Sequence, residues 1–375
     1  MPLRKLYSKW MFRWETKLTT RDTNRVERPF EWGLDWMRSW PQVNGHQPQP
    51  AEIESYVHRL NDKIVDESDT FFDYKTPTDF RLENRKVERF HTGSRPAPKE
   101  KKITHADFLR FTSPVKTPYP ENNLVNARWF PPNPKKVKAG KKKRAVIVLP
   151  QWNSDAISHN ALCGAFSYFG IASLRLSMPY HDIRMPAELK RADYAVSANV
   201  GRTIDATRQA VVDIRCCLDW LEQQGYEEFG ILGTSLGSCY AFLASAHDDR
   251  IKVNVFNHAS IYFADVVWTG QSTRHIRSGI EKQIPLESLR QSWLSISPVS
   301  YFEKFAAKQK KILLIYAKYD LTFLEEFSVK VAQAFKERRL NHKTVVLPCG
   351  HYTTGETPYK YMDGYHIVNF IARAF

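Results

Sequence analysis

Between residues 144 and 374 the chain alternates short apolar runs with longer segments that carry apolar residues at three- and four-residue steps. The apolar runs predict strands at 144–149, 171–176, 229–232, 252–256, 311–317 and 343–347. The stepped segments predict helices at 156–169, 203–224, 236–246, 323–339 and 359–374. Strands that alternate with helices form crossover units, so the pattern predicts an α/β fold with a mostly parallel, twisted sheet covered by helices on both faces.

The chain before residue 144 has a different pattern. Two short apolar and aromatic runs, 106–113 and 124–130, are separated by a proline-rich stretch and predict an antiparallel hairpin. Residues 1–102 have few β-branched runs and predict an extension made of helices and loops. We therefore divide the chain into this extension and a domain at 103–375 with a sheet of about eight strands.

The extension begins with a predicted amphipathic helix. One face carries apolar residues at helical spacing, and basic residues occupy the rest of the surface. We expect this face to dock on the main domain; a lid or a membrane-surface anchor is the alternative. A second helix is predicted at 52–65. The apolar face of the first helix consists of Leu3, Leu6, Tyr7, Trp10, Met11, Trp14 and Leu18.

One connection between consecutive predicted strands, the sixth and the seventh, is unusually long. It runs from Asn257 to Lys310, and connections of that length usually serve a function. We interpret about 258–310 as a cap over the carboxyl edge of the sheet.

Composition adds limits to this picture. The formal charge is +15, and residues 1–144 hold 30 Lys and Arg against 18 Asp and Glu. Such asymmetry can attract anionic lipid or nucleic acid. The tightest basic cluster lies beside prolines and Gly140, so we interpret it as a solvated loop and expect no nucleic-acid binding. This cluster consists of Lys135, Lys136, Lys138 and the run 141–144.

Cysteine usage and hydropathy bear on the compartment. Five cysteines without regular spacing favour reduced thiols and a cytoplasmic location. No stretch of about 18 uncharged apolar residues occurs, so we expect neither a cleaved signal nor a membrane-spanning helix.

The sequence Gly-Thr-Ser-Leu-Gly at 233–237 places Ser235 between a predicted strand and a predicted helix. A turn this tight requires small residues two positions on either side, and Gly233 and Gly237 meet that requirement. The arrangement exposes the Ser235 hydroxyl beyond the sheet edge. A glycine-rich dinucleotide turn is the rival interpretation, but no Asp or Glu ends the next strand to hold a ribose.

A serine nucleophile needs a base, and the base needs an orienting carboxylate. Asp320 follows the predicted strand 311–317, and His351 follows the predicted strand 343–347, so both leave the sheet at the edge where Ser235 lies. Asp265 is the alternative acid. His258 and His366 are weaker candidates for the base, and Cys239 and Cys349 are interpreted as packing residues.

This order of Ser, Asp and His at strand ends resembles the α/β-hydrolase superfamily over residues of about 105–375. The resemblance implies a Ser235–His351–Asp320 triad that cleaves a carboxylic ester or related acyl bond. It also implies an oxyanion hole made by the amide of Leu236 and that of Gln151 or Trp152. The expected partner is a small-molecule ester.

Two further functions stay open at this stage. One is a lipase or thioesterase at a membrane surface, held by peripheral contact of the basic N-terminus. The other is a non-catalytic binding protein on a hydrolase fold. No cofactor or metal is expected, since no His-Glu-x-x-His or similar ligand motif occurs. Trp152, Trp268 and Trp293 suggest an apolar acyl site, although core packing would explain them equally well.

Overall fold

A computed structural model describes residues 2–45, 48–87, 105–137 and 140–375. The predicted boundary at residues 102 and 103 and Lys138 of the basic cluster lie outside these ranges. Nine strands form one sheet. They are β1 (Arg81–Lys86), β2 (His105–Thr112), β3 (Leu124–Phe130), β4 (Arg144–Leu149), β5 (Ala172–Leu176), β6 (Glu228–Thr234), β7 (Ile251–Asn257), β8 (Lys311–Ala317) and β9 (His342–Leu347).

Helices surround the sheet and also occur in the described part of the N-terminal extension. The α-helices of the described residues are α1 (Pro2–Thr19), α2 (Leu34–Met37), α3 (Ile53–Asp66), α4 (Ser68–Phe71), α5 (Asn160–Tyr168), α6 (Val200–Gln223), α7 (Leu236–His247), α8 (Phe263–Thr269), α9 (Arg274–Ile280), α10 (Leu286–Ser292), α11 (Phe302–Ala306), α12 (Glu325–Glu337) and α13 (Tyr359–Ala374). Short 3₁₀ turns lie at Pro50–Glu52, Pro134–Lys136, Asp182–Arg184, Gln271–Thr273, Leu294–Ile296, Pro298–Tyr301 and Thr353–Gly355.

The strand order is β1-β2-β3-β5-β4-β6-β7-β8-β9. The pairs from β5 through β4 to β9 are parallel, while β1, β2 and β3 add to one edge in antiparallel fashion. This topology confirms the predicted α/β fold, the mostly parallel sheet and the hairpin. Because β6, β7, β8 and β9 run in one direction, the loops after them meet at the same edge of the sheet.

The extension differs from the prediction, because it supplies the edge strand β1. Five of the six residues of β1 are exposed, so its sequence lacks the apolar alternation that signals a strand. Polar contacts with β2 hold it instead. Asn84 donates to Asp107 at 2.7 Å, and Arg110 bonds Glu83 at 3.1 Å.

Alternating residues of the central strands feed two cores. In β4, Ile147 contributes to a large core that also contains residues of α6 and α7, while Val146 and Val148 contribute to a second core. The second core includes Met11 of α1 together with residues of α5 and α13. The described segment from 37 to 72 of the extension joins the large core through buried apolar residues, namely Met37, Trp40, Val57, Leu60, Ile64, Phe71 and Phe72.

Helix α1 is confirmed, but its buried face is rotated from the predicted one. Met11, Glu15 and Thr19 are fully buried, whereas Leu3 and Leu6 of the predicted apolar face are exposed. The long connection between β7 and β8 holds helices α8 to α11. Its role as a cap stays a prediction. No helix among the described residues is long and apolar enough to cross a membrane.

Candidate active site

Ser235 lies in the tight turn between β6 and α7. Its φ of 57° and ψ of −119° fall in a region that side chains other than glycine rarely adopt. The turn is anchored because the Ser235 amide donates to the Asn257 carbonyl at 2.7 Å and the Ser238 amide donates to the Ser235 carbonyl at 2.8 Å. A strained backbone held by its neighbours is the geometry expected of a nucleophile elbow.

The two flanking glycines are required by close backbone contacts. A Cβ on Gly233 would lie 2.1 Å from the Gly237 carbonyl oxygen. A Cβ on Gly237 would lie 2.6 Å from the Leu149 carbonyl oxygen and 2.7 Å from that of Pro150. Since backbone atoms cannot move aside cheaply, any side chain at either position would open the turn. The same contacts bring the loop after β4 against the elbow.

Asp320 and His351 meet at the same edge. The Nδ1 of His351 lies 2.9 Å from Oδ2 of the buried Asp320 and donates to it. The other oxygen, Oδ1, accepts the amides of Thr322 and Phe323, each at 2.7 Å. The carboxylate is therefore fixed from both sides, and its bond to Nδ1 leaves Nε2 of His351 as the nitrogen able to accept a proton.

A second histidine approaches the same carboxylate oxygen. Nδ1 of the buried His258 is 2.9 Å from Oδ2 of Asp320, which is an ion-pair distance, although the contact lacks hydrogen-bond geometry. The rings of His258 and His351 have centroids 4.5 Å apart. His258 follows β7 as Asp320 follows β8, and neighbouring parallel strands bring them together. His258 was predicted only as a weak candidate for the base, and its contact with Asp320 was not predicted.

The electrostatics of the pair favour an ionised acid and a basic imidazole. Burial alone would raise the pKa of Asp320, but His351 and His258 outweigh burial and hold that pKa below its usual range. Burial acts to lower the pKa of His351, yet the charges of Asp320 and Glu15 raise it above its ordinary value. Burial and the charge of His351 lower the pKa of His258, so His351 is the stronger base of the two.

The three groups also resemble a small ligand set. His258, Asp320 and His351 offer atoms that all lie within 4.8 Å of one another. The 2.9 Å contact between His351 and the carboxylate is also the geometry of a hydrogen-bonded Asp–His pair.

Ser235, His258 and His351 line one cavity of about 670 Å³. Its walls come from the loops at the carboxyl edge, from α8 and from the extension, which contributes Arg21 and Asp22. In the described part of the chain no hydrogen bond joins the Ser235 hydroxyl to His351. Such bonds are often long before substrate binds and tighten in the complex.

The loop after β4 supplies Gln151 and Trp152 to the cavity wall, and Leu236 lines it from the start of α7. None of their three amides donates a hydrogen bond within the described residues, so each is free to bind an oxygen atom. The Trp152 indole is held by its own bond to the Ala192 carbonyl at 2.9 Å. The geometry does not choose between the amides of Gln151 and Trp152.

Other predicted residues fall away from this site. The alternative acid, Asp265, is buried and bonded to Arg290 at 2.6 Å, and it does not line the cavity. His366 is on α13 outside the cavity wall. Of the three tryptophans proposed for an acyl site, only Trp152 lines the cavity, whereas Trp293 is fully buried in the core.

Glu15 was not among the residues predicted for the site. This is the one acid in α1, and it is completely buried against the turn that follows His351. Its signal was its place in a four-residue repeat with Met11 and Thr19, which marks the buried stripe of the helix.

Solved structures with the same fold include two acetyl xylan esterases. The enzyme from Thermoanaerobacterium sp. JW/SL YS485 superposes with a TM-score of 0.54 at 14% identity, covering 92% of this chain and 100% of the esterase. That from Paenibacillus sp. R4 gives 0.54 at 10% identity, with coverages of 94% and 98%. A comparison with curated proteins finds no match.

The acylaminoacyl peptidase of Pyrococcus horikoshii has a TM-score of 0.51 at 11% identity over 78% of this chain. The chain spans only 41% of that peptidase. Identities this low establish the fold alone.

The sheet order and the strained serine turn define an α/β hydrolase. The family model described as "Alpha/beta hydrolase domain containing 18" matches residues 65–372, and the chain belongs to that family. Family and fold together support a hydrolase.

Proposed function

We propose that the protein is a serine hydrolase that cleaves a carboxylic ester, or a related acyl bond, through an acyl-enzyme on Ser235. The observation that carries this proposal is the strained turn at Ser235, which opens on the same cavity as the His351–Asp320 pair. Ser235, Asp320 and His351 follow the carboxyl ends of β6, β8 and β9, which are parallel strands of the same sheet. The arrangement matches the three roles of nucleophile, base and orienting acid.

In the first half of the reaction Nε2 of His351 takes the Ser235 proton while Oγ attacks the acyl carbon. The tetrahedral intermediate collapses, and the imidazolium returns the proton to the departing alcohol oxygen. In the second half His351 takes a proton from water, the resulting hydroxide attacks the acyl carbon, and the acid leaves as Ser235 recovers its proton. Asp320 stabilises the imidazolium in both halves.

The oxyanion is held by the amide of Leu236 and by that of Gln151 or Trp152. Loss of one such donor costs about 3 kcal/mol in the barrier. The wall of the cavity at α8 presents Phe263, Val266 and Val267, which favours an apolar acyl or alcohol group on that side.

Replacing Ser235 by Ala tests the proposal. The variant is expected to unfold at the wild-type temperature and to lose turnover of p-nitrophenyl esters by about 10⁴-fold or more. Esters of graded acyl length, a thioester and a lactone, compared on the wild type, identify the bond that is cleaved. Wild-type turnover in Ser235→Ala would contradict the assignment. A folded wild type inactive on every substrate would favour a non-catalytic binding protein.

A second candidate function is acyl hydrolysis at a membrane surface. The outer face of α1 leaves Leu3 83% exposed, Leu6 69% and Trp10 49%, although these are large apolar residues. Arg4, Lys5, Lys9, Arg13 and Lys17 flank them and are all exposed. An apolar strip bordered by positive charge suits a bilayer that carries anionic lipid.

Co-sedimentation with vesicles tests this second function. We expect binding to vesicles with phosphatidylserine that weakens as salt is raised and is lost when Leu3, Leu6 and Trp10 are replaced by Ser. The matched control replaces the exposed Val329 of α12 by Ser. No binding to either kind of vesicle would contradict the membrane role, and equal binding to neutral vesicles would contradict its dependence on anionic lipid; either result leaves the ester proposal intact. The five cysteines are free thiols that are buried or partly buried, which is consistent with a reducing compartment. We include a cytoplasmic location in the proposed function.

A further inference from the structure

Helix α1 packs its inner stripe against the loops that carry the acid and the base. The Tyr7 hydroxyl donates to the carbonyl of Pro348, three residues before His351. The Ser8 hydroxyl is 3.1 Å from the hydroxyl of Tyr319, the residue before Asp320. One helix of the extension therefore contacts both loops, although more than 300 residues separate it from them in the sequence.

Glu15 is the centre of this contact. Its Oε1 accepts the Tyr352 amide at 2.8 Å, and its Oε2 accepts the Thr353 amide at 2.9 Å and the Thr353 hydroxyl at 3.0 Å. The same hydroxyl accepts the Gly350 amide at 2.6 Å. Donors on both sides of His351 are thus connected to one carboxylate, which fixes the backbone that carries the imidazole.

The fit between Glu15 and this loop is also steric. A Cβ on Gly350 would lie 2.4 Å from the Glu15 carboxylate, so only glycine lets the loop approach this closely. Glu15 is fully buried, and its carboxylate occupies the space directly beside the residue that precedes His351.

The contact between Glu15 and this loop also affects the pKa of His351. Burial raises the pKa of Glu15, while the amides of Tyr352 and Thr353 act to lower it. In its ionised form Glu15 supports the imidazolium of His351, as Asp320 does. The other titratable groups around these two are His258 on the loop after β7, and Cys349 and Tyr352 on the loop after β9.

We propose that Glu15 is a positioning residue for His351, which makes helix α1 a working part of the active site. It fixes the loop around the imidazole through its three hydrogen bonds and places a negative charge behind the base. This inference rests on the proposed function. It goes beyond that proposal by assigning a role to a residue outside the triad and the oxyanion hole.

The test compares Glu15→Gln with Thr16→Ala, which changes an exposed neighbour on the same helix. Gln keeps the shape but lacks the charge, and its NH₂ group meets donors of the loop. We expect kcat on a p-nitrophenyl ester to fall about tenfold with KM within about twofold, because the base is displaced while the cavity is kept. The acid limb of the pH profile moves to lower pH. Thr16→Ala retains wild-type values.

A second readout does not need turnover. The imidazole of His351 is titrated by NMR in the full chain, with its signal assigned by His351→Asn, and Glu15→Gln is expected to lower the midpoint. If the wild type cleaves no ester but this midpoint moves, the proposed function fails and the electrostatic contact stands. An unchanged midpoint together with unchanged kcat per folded molecule would overturn the role of Glu15. Should Glu15→Gln fail to fold, Thr353→Val removes the hydroxyl that joins Glu15 to the Gly350 amide and keeps the two backbone amides that donate to Glu15. An unaltered kcat in that variant contradicts the inference.

Discussion

The serine turn and the histidine loop are built in different ways. The turn at Ser235 depends on residues close to it in sequence and on the neighbouring strand β4, since Gly233 and Gly237 are required by contacts within the turn and with Leu149. The loop at His351 depends on Asp320 and on Glu15, which belongs to the first helix of the chain. The turn that carries the proposed nucleophile thus depends mainly on its own glycines and the adjacent strands, whereas the loop that carries the proposed base also depends on the first helix of the chain.

This difference predicts which part of the site is sensitive to substitutions in the N-terminal extension. We expect the serine turn to tolerate changes in the extension and the histidine loop to be sensitive to them. The extension is therefore expected to influence catalysis through the base rather than through the nucleophile.

The largest expected effect distinguishes the two histidines that contact Asp320. His351→Ala should lower kcat by about 10⁴-fold or more, because the base that takes the Ser235 proton is lost. His258→Ala should cost no more than about tenfold, since that ring only supports the acid. Steady-state kinetics on one ester measures both variants. If kcat falls further in His258→Ala than in His351→Ala, His258 is the base.

The next largest effect is expected at the turn that carries Ser235. Gly237→Ala forces a Cβ against two backbone carbonyls and should destabilise the fold by about 3 kcal/mol, with loss of activity. Gly164 in α5 is the matched control, because a Cβ there meets nothing within 4 Å. Gly164→Ala should stabilise by up to about 1 kcal/mol. Denaturant unfolding gives both values, and equal stability of the two variants would contradict the steric account of the turn.

The pH dependence of kcat/KM tests the loop that carries His351. The pKa of His351 lies above its ordinary value, so kcat/KM should fall tenfold per pH unit once the pH drops below that raised pKa. Stability changes in the opposite sense. The contribution of His351 is full below the pKa of unfolded histidine and is lost as pH rises through the folded pKa.

Replacing Asp320 by Asn tests the pH dependence of kcat/KM and the pH dependence of stability together. Without the carboxylate the acid limb should shift to lower pH, and the loss of stability between those two pKa values should disappear. Rate profiles and thermal unfolding across about pH 5 to about pH 9 provide the measurements. An unmoved acid limb would mean that another group than His351 controls it.

The smallest effect sharpens the contact between helix and loop. Gly350→Ala should destabilise by about 2 kcal/mol because its Cβ meets the Glu15 carboxylate. Glu15→Ala removes that carboxylate, so the double variant should regain part of the stability of Gly350→Ala. A double-mutant cycle on unfolding free energies measures the coupling. Simple additivity would place the steric conflict elsewhere.

The sequence predicted most of the central sheet because strands buried on both faces must be continuously apolar, as the run at β4 is. It did not predict β1, whose exposed and charged residues pair at an edge and need no apolar pattern. The buried face of α1 was also misplaced. Docking on the histidine loop buries Glu15 and leaves Leu3 and Leu6 exposed, which amphipathic spacing alone does not reveal.

The residues of the site also differ in how far the sequence could predict them. Ser235 could be proposed from its glycine-flanked motif together with the strand predicted before it, the helix predicted after it, and Asp320 and His351 at later strand ends. The contact of His258 with Asp320 depends on the register of β7 against β8, in which Asn257 pairs with Ile315. The role of Glu15 depends on how a distant helix docks. The contact of His258 leaves no pattern in the local sequence, and the docking of Glu15 leaves only its four-residue spacing with Met11 and Thr19.

The most direct test of the central claim is to label the folded, full-length protein with a fluorophosphonate and to locate the adduct by peptide mass spectrometry. A phosphonyl group on Ser235, with labelling slowed in His351→Ala and absent in Ser235→Ala, is the predicted result. An unlabelled Ser235 in folded protein, or an adduct on another residue, would contradict its role as the nucleophile.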